Sequence, residues 1–308
     1  MTPSQPIINK RQAWYQATRP RVFVASFVPM ALAAVIAVQD GVFYLPFFLL
    51  SLIGVMLLQT AANLVNEYAD FVRGADALKQ AGQGMAIKNA LLSPREVLLG
   101  AIATTLGGVI IGLYLLSQSG AYLWLIGIGG VLVAITYTAG PFPLAYHGLG
   151  EVAAGIFMGP MIVLGAYYVM QPNIPAQKGV ELSLLAFPIM FTCAAILHAN
   201  NIRDLDADRA ANKRTLAVRL GLRWARIEYA GLLILCYASQ LALILIGWMP
   251  PHTLLTLLML PQALHLVRVF NSETDVKTLH IAQGETAKLH GAIGLCLVLG
   301  WALALLLA

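Results

Sequence analysis

Residues 182–209 read LSLLAFPIMFTCAAILHANNIRDLDADR. Apolar side chains fill most of the stretch before Asn200, and about 20 such residues are enough to cross the hydrocarbon core of a bilayer as a helix. Two asparagines, three aspartates and two arginines follow directly, between Asn200 and Arg209. Because charge at a membrane face is costly unless it is paired or binds a ligand, this stretch predicts a membrane helix that ends in a functional site.

The composition of the whole chain indicates an integral membrane protein. Of its 308 residues, 59% are hydrophobic and 11% are charged, whereas soluble domains carry about 25% charged residues. The net charge of +5 is explained by membrane topology and gives no reason to expect nucleic-acid binding. The three cysteines lie in apolar runs without a C-x-x-C spacing, which argues against a disulfide framework and against a thiolate metal site.

Hydropathy predicts an all-α integral membrane fold in which one domain, 1–308, crosses the membrane nine times. Each apolar segment is close to the length of about 20 residues that a membrane helix needs. The nine predicted spans are 22–38, 43–66, 97–117, 121–138, 150–170, 182–202, 228–248, 252–270 and 289–307. Several contain proline, which membrane helices tolerate where neighbouring groups satisfy the freed carbonyl.

The distribution of basic residues predicts the orientation. Nine spans divide the loops into two alternating sets, and of the 19 Lys and Arg residues only Lys178 lies in the second set. The positive-inside rule then places the N-terminus in the cytoplasm and the C-terminus outside. The long loops 67–96 and 203–227 lie on the cytoplasmic side, and we expect them to cover the functional site. Because no signal or transit peptide is apparent, we expect a multi-pass protein of the cytoplasmic (inner) membrane of a prokaryote.

A weak internal repeat relates two parts of the chain. The spacing N-x-x-x-D occurs at Asn66 and Asp70 and again at Asn200 and Asp204. Both pairs lie at the cytoplasmic end of an even-numbered span and precede a long charged loop. This predicts two parallel four-helix repeats plus a ninth helix around a central cavity, with the ligand at the interface between the repeats.

The first cluster places amide and carboxylate oxygens on one helical face. Asn63, Asn66 and Asp70 lie three and four residues apart, so they project from the same side of a helix. Asp76 follows beyond a break at Gly74. Oxygen-rich sites without thiolates or paired histidines suit Mg²⁺, which keeps some of its waters and is often completed by substrate phosphates.

The second cluster repeats this arrangement and adds cations. Asp204 and Asp208 share a helical face with Asn200 or Asn201, whereas Asp206 points away from that face. We interpret four carboxylates as metal ligands, namely Asp70, Asp76, Asp204 and Asp208. Three basic residues stand near them and would bind a diphosphate together with the metal: Arg203, Lys213 and Arg214.

An apolar cavity with a Mg²⁺-diphosphate site at its mouth predicts one kind of reaction. Metal and arginine withdraw charge from the diphosphate leaving group, and an allylic cation then forms in a dry pocket where aromatic faces stabilise it. Tyr137 either faces this cation or belongs to the aromatic belt at the membrane interface. His147 and Glu151 either bind or deprotonate the second substrate, which attacks the cation, or cap a helix. His198 either binds a ligand or is a hydrogen-bonded residue of the helix bundle.

Six passages, which together cover nearly the whole chain, carry a resemblance to a known family. They are TRPR at 18–21, NEYAD at 66–70 with Gly74 and Asp76, LSPRE at 92–96, YTAGPFPLAYHGLGE at 137–151, NNIRD at 200–204 continuing to KRTLA at 213–217, and TAKLH at 286–290. The chain resembles the UbiA superfamily of intramembrane prenyltransferases, and within it the branch that makes demethylmenaquinone from 1,4-dihydroxy-2-naphthoate. The resemblance implies transfer of a polyprenyl group from polyprenyl diphosphate, with release of diphosphate and, because the prenyl group replaces a carboxylate, of CO₂.

The resemblance also implies roles for individual residues. Superfamily members bind Mg²⁺-diphosphate through two Asp-rich motifs, which correspond here to Asn66, Asp70, Asp76, Asp204 and Asp208. Substrate contacts are implied for Asn200, Asn201, Arg203, Lys213 and for Arg19 or Arg21. We expect Asp70, Asp204, Asp208 and Arg203 to be catalytic, and Arg21, Arg214, Tyr137 and His147 to help bind substrate. Two positions depart from the branch pattern: Glu67 stands where Asp is usual, and Met85 where a basic residue is usual.

Three alternative functions fit part of this pattern. The first is a prenyltransferase of the same type with another acceptor, 4-hydroxybenzoate or a non-aromatic lipid precursor. The second is a secondary transporter, because internal repeats and charged residues in the membrane are also typical of transporters. No charged residue interrupts the core of a predicted span, which argues against this function. The third is a quinone- or lipid-binding protein without catalysis, against which the intact aspartate clusters argue.

Overall fold

A computed structural model describes residues 9–76, 85–120 and 122–307 of the chain. Every regular element in these ranges is helical, which confirms the predicted all-α class. The α-helices are α1 (Lys10–Thr18), α2 (Val24–Gln39), α3 (Leu45–Val72), α4 (Pro94–Gln118), α5 (Tyr122–Thr136), α6 (Gly150–Ile156), α7 (Ile162–Met170), α8 (Ala176–Leu185), α9 (Phe187–Arg203), α10 (Leu205–Ala210), α11 (Leu216–Leu220), α12 (Leu222–Leu245), α13 (Leu260–Ser272) and α14 (Val276–Leu307). Three short 3₁₀ segments and one π-helical turn complete the set: Pro20–Phe23, Leu144–His147, Pro251–Met259 and Phe157–Met161.

Seven helical segments of the described chain are long and apolar enough to cross a bilayer. They are Lys10–Gln39, Leu45–Val72, Pro94–Gln118, Gly150–Met170, Leu222–Leu245, Pro251–Ser272 and Val276–Leu307. The bent pair of α8 and α9 makes an eighth if it counts as one span. The remaining predicted span, 121–138, corresponds to α5, which is apolar but shorter. The chain is therefore a multi-pass membrane protein, and the count of nine stays a prediction.

The helices extend beyond the predicted spans at the polar clusters. α3 continues to Val72 and α12 begins at Leu222, so the segments 67–96 and 203–227, predicted as loops, are partly helical. Hydropathy marks where apolar side chains end, whereas the backbone hydrogen bonds of a helix continue through polar residues. The short helices α10 and α11 also lie in the second of these segments. Residues 77–84 of the first segment lie outside the described residues.

Prolines lie at two breaks in the helices around the cavity. α8 and α9 meet at an angle of 46° around Ala186, and Pro188 follows in the first turn of α9, where it has no N–H to continue the hydrogen-bond ladder. Pro160 lies inside the π-helical turn between α6 and α7. Because proline has no N–H to donate, the α-helical hydrogen-bond pattern is interrupted there as well. Phe157 and Met158 of that turn line the cavity described below, so this break shapes the cavity wall.

α9, which carries the start of the second aspartate cluster, lies inside the helix bundle. It packs against α6, α12 and α14. Two glycines of α14 permit close packing against neighbouring segments, since a Cβ on Gly294 would clash with the side chain of Val28, and one on Gly300 would clash with the carbonyl oxygen of His252. Small residues allow such approaches between membrane helices. The close packing of α14 therefore helps to fix the position of α9.

Candidate active site

A cavity of about 400 Å³ lies between α3, α4, α5, α7 and α9. Most of its lining side chains are apolar, and most of its polar ones come from the two aspartate clusters and their neighbours. The polar lining residues are Arg19, Ser51, Gln59, Asn63, Asn66, Asp70, Asp76, Tyr137, Asn200, Asn201, Arg203, Asp204, Asp208, Lys213 and Gln283. All four predicted metal ligands and most of the predicted substrate-binding residues are therefore brought to one cavity.

Lys213 joins the two aspartate clusters. Its Nζ donates to Asp70 Oδ2 over 3.1 Å and lies 4.0 Å from Asp208 Oδ1. Burial by itself lowers the pKa of an amine, but the carboxylates of Asp70, Asp208 and Asp204 outweigh it and hold the pKa of Lys213 above its usual value. The amine is therefore cationic at neutral pH, and it neutralises carboxylates that are far apart in the sequence.

Arg203 forms a two-point ion pair with Asp204. Its Nε donates to Oδ1 over 2.8 Å and its Nη2 donates to Oδ2 over 2.6 Å, the parallel geometry in which guanidinium binds a carboxylate most strongly. Its Nη1 lies 3.0 Å from Nδ1 of His280 on α14. Arg203, predicted to bind phosphate, and Asp204, predicted to bind the metal, are thus paired with each other in this structure. When a metal diphosphate binds, Arg203 would have to exchange the carboxylate for phosphate oxygens, and Asp204 would have to exchange the guanidinium for the metal.

Arg19 reaches the first cluster from the segment before α2. Its Nη2 donates to Asn66 Oδ1 over 2.9 Å, and Asn63 Nδ2 donates to the carbonyl oxygen of Thr18 over 2.9 Å. Arg19 has a φ of +54°, a left-handed conformation that costs a residue with a side chain about 1 kcal/mol. Of the two arginines considered for phosphate binding, Arg19 lines the cavity and Arg21 is exposed.

Three predicted substrate-binding residues are not brought to the cavity lining. Arg21 and Arg214 are exposed. His147 is partly buried, its ring stacks on Phe142 with 3.8 Å between ring centres, and its Nδ1 lies 2.8 Å from a backbone carbonyl oxygen. The structure therefore separates these three side chains from the other predicted site residues. Asp206 is exposed as well, in agreement with its predicted direction on the helix.

Tyr146 is a site residue that sequence reasoning did not single out. Its hydroxyl donates to Asp70 Oδ1 over 2.9 Å. Lys213 Nζ lies 5.2 Å and Arg73 Cζ lies 4.9 Å from the centre of its ring, distances at which cations are attracted to an aromatic face. The passage 137–151 contributed to the family resemblance, but no spacing within it marks Tyr146, because its contact with α3 exists only in the folded chain.

Glu151 and His198 form a buried network behind the cavity. Glu151 Oε1 accepts a hydrogen bond from Asn201 Nδ2 over 2.7 Å and lies 3.0 Å from His198 Nδ1. His198 Nε2 lies 2.8 Å from the carbonyl oxygen of Ala225. Glu151 is 3% exposed and His198 is fully buried, and among these side chains only Asn201 lines the cavity. His198 is therefore a hydrogen-bonded residue of the bundle, and Glu151 reaches the cavity through Asn201.

The two departures from the branch pattern, Glu67 and Met85, lie in neighbouring segments. Glu67 Oε1 accepts a hydrogen bond from the backbone N–H of Ile87 over 2.9 Å, and Glu67 is 1% exposed. Met85, two residues before Ile87, lines the cavity. Glu67 on α3 therefore anchors the segment that brings Met85 to the cavity.

The oxygen ligands fit a metal ion that arrives together with a diphosphate. Within the described ranges, no three His, Cys, Asp or Glu side chains are close enough to hold a metal ion by themselves. The four predicted carboxylate ligands nevertheless line the same cavity, and carboxylates are the hard donors that Mg²⁺ prefers. Because Mg²⁺ usually takes one or two carboxylates and completes its shell with water and substrate phosphates, a preformed protein cage is not required.

Comparison with known proteins assigns the chain to a family. The sequence profile of the UbiA prenyltransferase family matches residues 27–282, which is most of the chain. The chain belongs to the UbiA prenyltransferase family. It is therefore a membrane prenyltransferase, and the resemblance carried by the six sequence passages is confirmed.

Relatives of this UbiA-family chain are similar over almost their whole length. The 1,4-dihydroxy-2-naphthoate octaprenyltransferase of Bacillus subtilis is 32% identical over 289 residues, which cover 94% of this chain and 92% of that protein. The protein of the same name from Escherichia coli is 31% identical over 303 residues, 95% of this chain and 96% of that protein. A solved structure of a UbiA homologue from Archaeoglobus fulgidus bound to DMAPP and Mg²⁺ has a TM-score of 0.63 at 14% identity, and the match covers 92% of this chain and 98% of that chain. The fold is therefore that of the family.

Proposed function

We propose that this chain transfers a polyprenyl group from polyprenyl diphosphate to 1,4-dihydroxy-2-naphthoate, which yields demethylmenaquinol, the reduced form of demethylmenaquinone, together with diphosphate and CO₂. The observation that carries the proposal is the meeting of Asp70 and Asp208 at Lys213 beside a mostly apolar cavity. The cavity therefore has a charged end and an apolar part, and a polyprenyl diphosphate likewise has a charged head and a long apolar tail. Two relatives that match nearly the whole chain are named for this reaction.

The charged end of the cavity binds the diphosphate head in this proposal. Mg²⁺, when bound, withdraws charge from the departing diphosphate. Its ligands are Asp70, Asp76, Asp204 and Asp208. The cations that bind phosphate oxygens are Arg203, Lys213 and Arg19, and the amides beside them are Asn66 and Asn200. Arg203 and Lys213 are already held by carboxylates in this structure, so they exchange carboxylate oxygens for phosphate oxygens when the substrate binds.

The apolar part of the cavity holds the prenyl chain and excludes water. Water would trap the allylic cation that forms when diphosphate leaves, so a dry wall favours transfer to the acceptor. Within the described residues, the aromatic side chains of this wall are Tyr137 and Phe157. An aromatic face attracts a cation, and we assign this stabilising role to Tyr137, which belongs to the loop that carries Tyr146.

We place the charged end of the cavity at the cytoplasmic face of the inner membrane of a prokaryote, with the N-terminus in the cytoplasm. The support is the segregation of the 19 Lys and Arg residues, of which only Lys178 falls in the opposite set of loops. The described parts of the two predicted loops, 67–76, 85–96 and 203–227, then cover the site from the cytoplasm. In this arrangement the chain consists of two parallel four-helix repeats and a ninth helix, and each repeat contributes one of the two clusters at the same position.

A transfer assay with the purified protein in liposomes tests the reaction. The protein receives polyprenyl diphosphate and Mg²⁺ with 1,4-dihydroxy-2-naphthoate, with 4-hydroxybenzoate or with a non-aromatic lipid alcohol. We expect equal release of diphosphate and CO₂ with the naphthoate alone, and no release after EDTA. Asp70→Ala and Asp204→Ala should each lower the rate by about 100-fold or more, whereas the exposed Asp206→Ala control should keep the wild-type rate.

Different results would reject different parts of the proposal. Full activity of Asp70→Ala would reject the assigned site. Turnover only with 4-hydroxybenzoate or only with the lipid alcohol would reject the naphthoate as acceptor. Movement of a solute across the liposome without diphosphate release would indicate a transporter instead of a transferase.

A further inference from the structure

We propose that Asn201, held in one orientation by Glu151 and His198, binds a hydroxyl group of the aromatic acceptor in a subsite next to Tyr137. The inference rests on the proposed function, because it locates the second substrate of that reaction. None of these groups is needed to bind the diphosphate. Glu151 and His198 therefore act as positioning residues for the acceptor.

The subsite is a corner of the cavity where the loop after α5, the start of α6 and α9 meet. Tyr137, Ala145, Leu197 and Asn201 all line the cavity. A Cβ on Gly150 would lie 3.3 Å from the Tyr137 hydroxyl, 3.4 Å from Leu197 Cδ2 and 3.5 Å from Ala145 Cα, so these three residues converge on Gly150. The next residue, Glu151, accepts the hydrogen bond of Asn201. A mostly apolar wall with a few placed polar groups suits a flat aromatic ring that carries hydroxyl groups.

Glu151 determines which end of the Asn201 amide is available to a ligand. Asn201 Nδ2 donates to Glu151 Oε1 over 2.7 Å. An amide that donates to a buried carboxylate directs its carbonyl oxygen away from that carboxylate. Among the described residues no hydrogen-bond donor reaches Asn201 Oδ1, and Asn201 is in the cavity wall. This oxygen is therefore an acceptor that suits a phenolic hydroxyl, and it would repel a phosphate oxygen.

His198 in turn fixes Glu151. Its Nδ1 lies 3.0 Å from Glu151 Oε1, and its Nε2 lies 2.8 Å from the Ala225 carbonyl oxygen and 3.5 Å from Glu228 Oε2. Both ring nitrogens thus face hydrogen-bond acceptors, so each N–H of the ring has a partner, and the Nδ1 contact is made with Glu151. The pair holds the carboxylate in one place between α6, α9 and α12.

The network is a poor means of stabilising the fold, which favours a functional role. Glu151 Oε2 is buried without a hydrogen-bond partner, and a buried unsatisfied oxygen is unfavourable. A buried ion pair is often no more stabilising than well-packed apolar side chains. The buried pair is explained if it keeps the Asn201 carbonyl directed into the acceptor corner.

Steady-state kinetics in liposomes separates the two substrates. Glu151→Gln keeps the shape of the side chain but removes the charge that fixes the amide of Asn201. We expect the KM for 1,4-dihydroxy-2-naphthoate to rise about tenfold, the effect of about one hydrogen bond, while the KM for polyprenyl diphosphate stays at its wild-type value. Asn201→Ala should do the same, and Glu151→Asp, which keeps the charge, should recover part of the loss.

A double variant distinguishes positioning from general disruption. If Glu151 acts through Asn201, Glu151→Gln combined with Asn201→Ala should raise the acceptor KM no further than Asn201→Ala alone, because coupled residues are not additive. Glu181→Gln is the matched control, since it makes the same chemical change in a carboxylate that pairs with Lys178 away from the cavity. Its two KM values should be unchanged.

The outcomes for the subsite and for the overall function are distinct. No turnover of 1,4-dihydroxy-2-naphthoate by the wild-type protein would reject the proposed function. Wild-type turnover combined with unchanged acceptor KM in Asn201→Ala, or with an equal rise in both KM values, would reject the subsite alone. If Glu151→Gln does not fold, quenching of naphthoate fluorescence on binding to Asn201→Ala decides: weaker binding than wild type supports the subsite, and equal binding rejects it.

Discussion

Two basic residues of the site lie at or next to strained backbone positions. Arg19 has a φ of +54°, and Asn212, directly before Lys213, has a φ of +55°. Each left-handed conformation costs about 1 kcal/mol, and such costs are often retained where a functional side chain must be aimed. Both conformations accompany a cation in the cavity wall, Arg19 in one case and Lys213 in the other. The backbone strain is therefore explained by the need to place these charges.

The thermal stability of the protein at alkaline pH should depend on the charge of Lys213. Burial opposes its charge, but Asp70, Asp208 and Asp204 raise its pKa above the usual 10.5. A group with a raised pKa stabilises the fold fully below its unfolded pKa and loses this contribution as the pH rises through the folded pKa. We expect a thermal midpoint that is unaffected by Lys213 up to about pH 10 and falls at higher pH.

Lys213→Arg is the comparison for this pH dependence. Because guanidinium stays protonated to a pH of about 12 or more, the variant should keep its midpoint at pH values where the wild type loses it. Each protein is compared with its own midpoint near neutral pH, which removes the effect of altered packing. An identical alkaline fall in both proteins would contradict the assigned ion pair.

Tyr146→Phe should weaken Mg²⁺ binding at the site without unfolding the protein. The change removes the hydrogen bond of 2.9 Å to Asp70 Oδ1 and keeps the ring that faces Lys213 and Arg73. Loss of one hydrogen bond to a carboxylate corresponds to about a tenfold effect, which we expect in the Mg²⁺ concentration needed for half-maximal transfer. Tyr15→Phe, on the exposed side of α1, is the control, and equal Mg²⁺ dependence of the two variants would exclude the assigned role.

Sequence spacing singled out charged residues that the fold brings to one cavity, but not the side chains that they contact there. Asp70 and Asp204 were found because each lies four residues after an asparagine in a long charged segment. Tyr146 could not be found in this way, because its partner on α3 is far away in the chain. Arg19 and Arg21 have the same side chain and nearly the same position in the sequence, yet in the folded chain Arg19 lines the cavity and Arg21 is exposed.

At the scale of helices, hydropathy predicted where the chain crosses the membrane but not how the helices end or bend. The apolar run at 43–66 predicted α3, yet α3 continues to Val72 because its backbone hydrogen bonds do not depend on side-chain polarity. The run at 182–202 predicted one span, whereas the structure has α8 and α9 with a bend of 46°. The bend follows from Pro188, whose effect on a helix depends on neighbours that the sequence does not reveal.

Glycines on α4 and α5 should limit the length of prenyl chain that the cavity accepts. Gly112, Gly127 and Gly130 line the cavity, and no atom lies within 4 Å of a Cβ built on any of them. A larger side chain at these positions therefore projects into free space without moving the helices. We expect Gly112→Leu to raise the preference for short over long polyprenyl diphosphates, measured as the ratio of kcat/KM values.

A matched control for this substitution exists on α12. Gly231 also has no atom within 4 Å of a built Cβ, but it does not line the cavity. Gly231→Leu should leave the chain-length preference at its wild-type value. A parallel shift in both variants would mean that membrane packing, and not the cavity, sets the preference.

At the scale of the whole molecule, the ion pairs around Lys178 and the ion pairs of the site differ in the helices that they connect. Lys178 Nζ lies 2.9 Å from Asp40 Oδ2 and 3.0 Å from Glu181 Oε1, and the Tyr167 hydroxyl donates to Asp40 over 2.6 Å. These contacts join α7, α8 and the end of α2 away from the cavity lining. The ion pairs of Lys213 and Arg203, in contrast, are in the cavity wall, where a charged ligand can replace them.

Because the two carboxylate clusters come from distant parts of the chain, a ligand that binds both should stabilise the whole fold. Within the described residues no preformed group of three metal ligands exists, so Mg²⁺ alone should change the thermal midpoint little. Mg²⁺ with a non-hydrolysable polyprenyl thiodiphosphate should raise it, since a ligand at 100 times its Kd contributes about 2.7 kcal/mol to the folded state. EDTA should reverse the rise.

The same measurement tests whether both clusters take part. Asp70→Asn and Asp208→Asn each remove one carboxylate from one cluster, and each should abolish the stabilisation by Mg²⁺ and thiodiphosphate. Asp206→Asn, an exposed aspartate in the same segment as Asp208, should keep it. If Asp208→Asn alone retained the full stabilisation, the diphosphate would be bound by the first cluster only, and the two halves of the chain would not share one site.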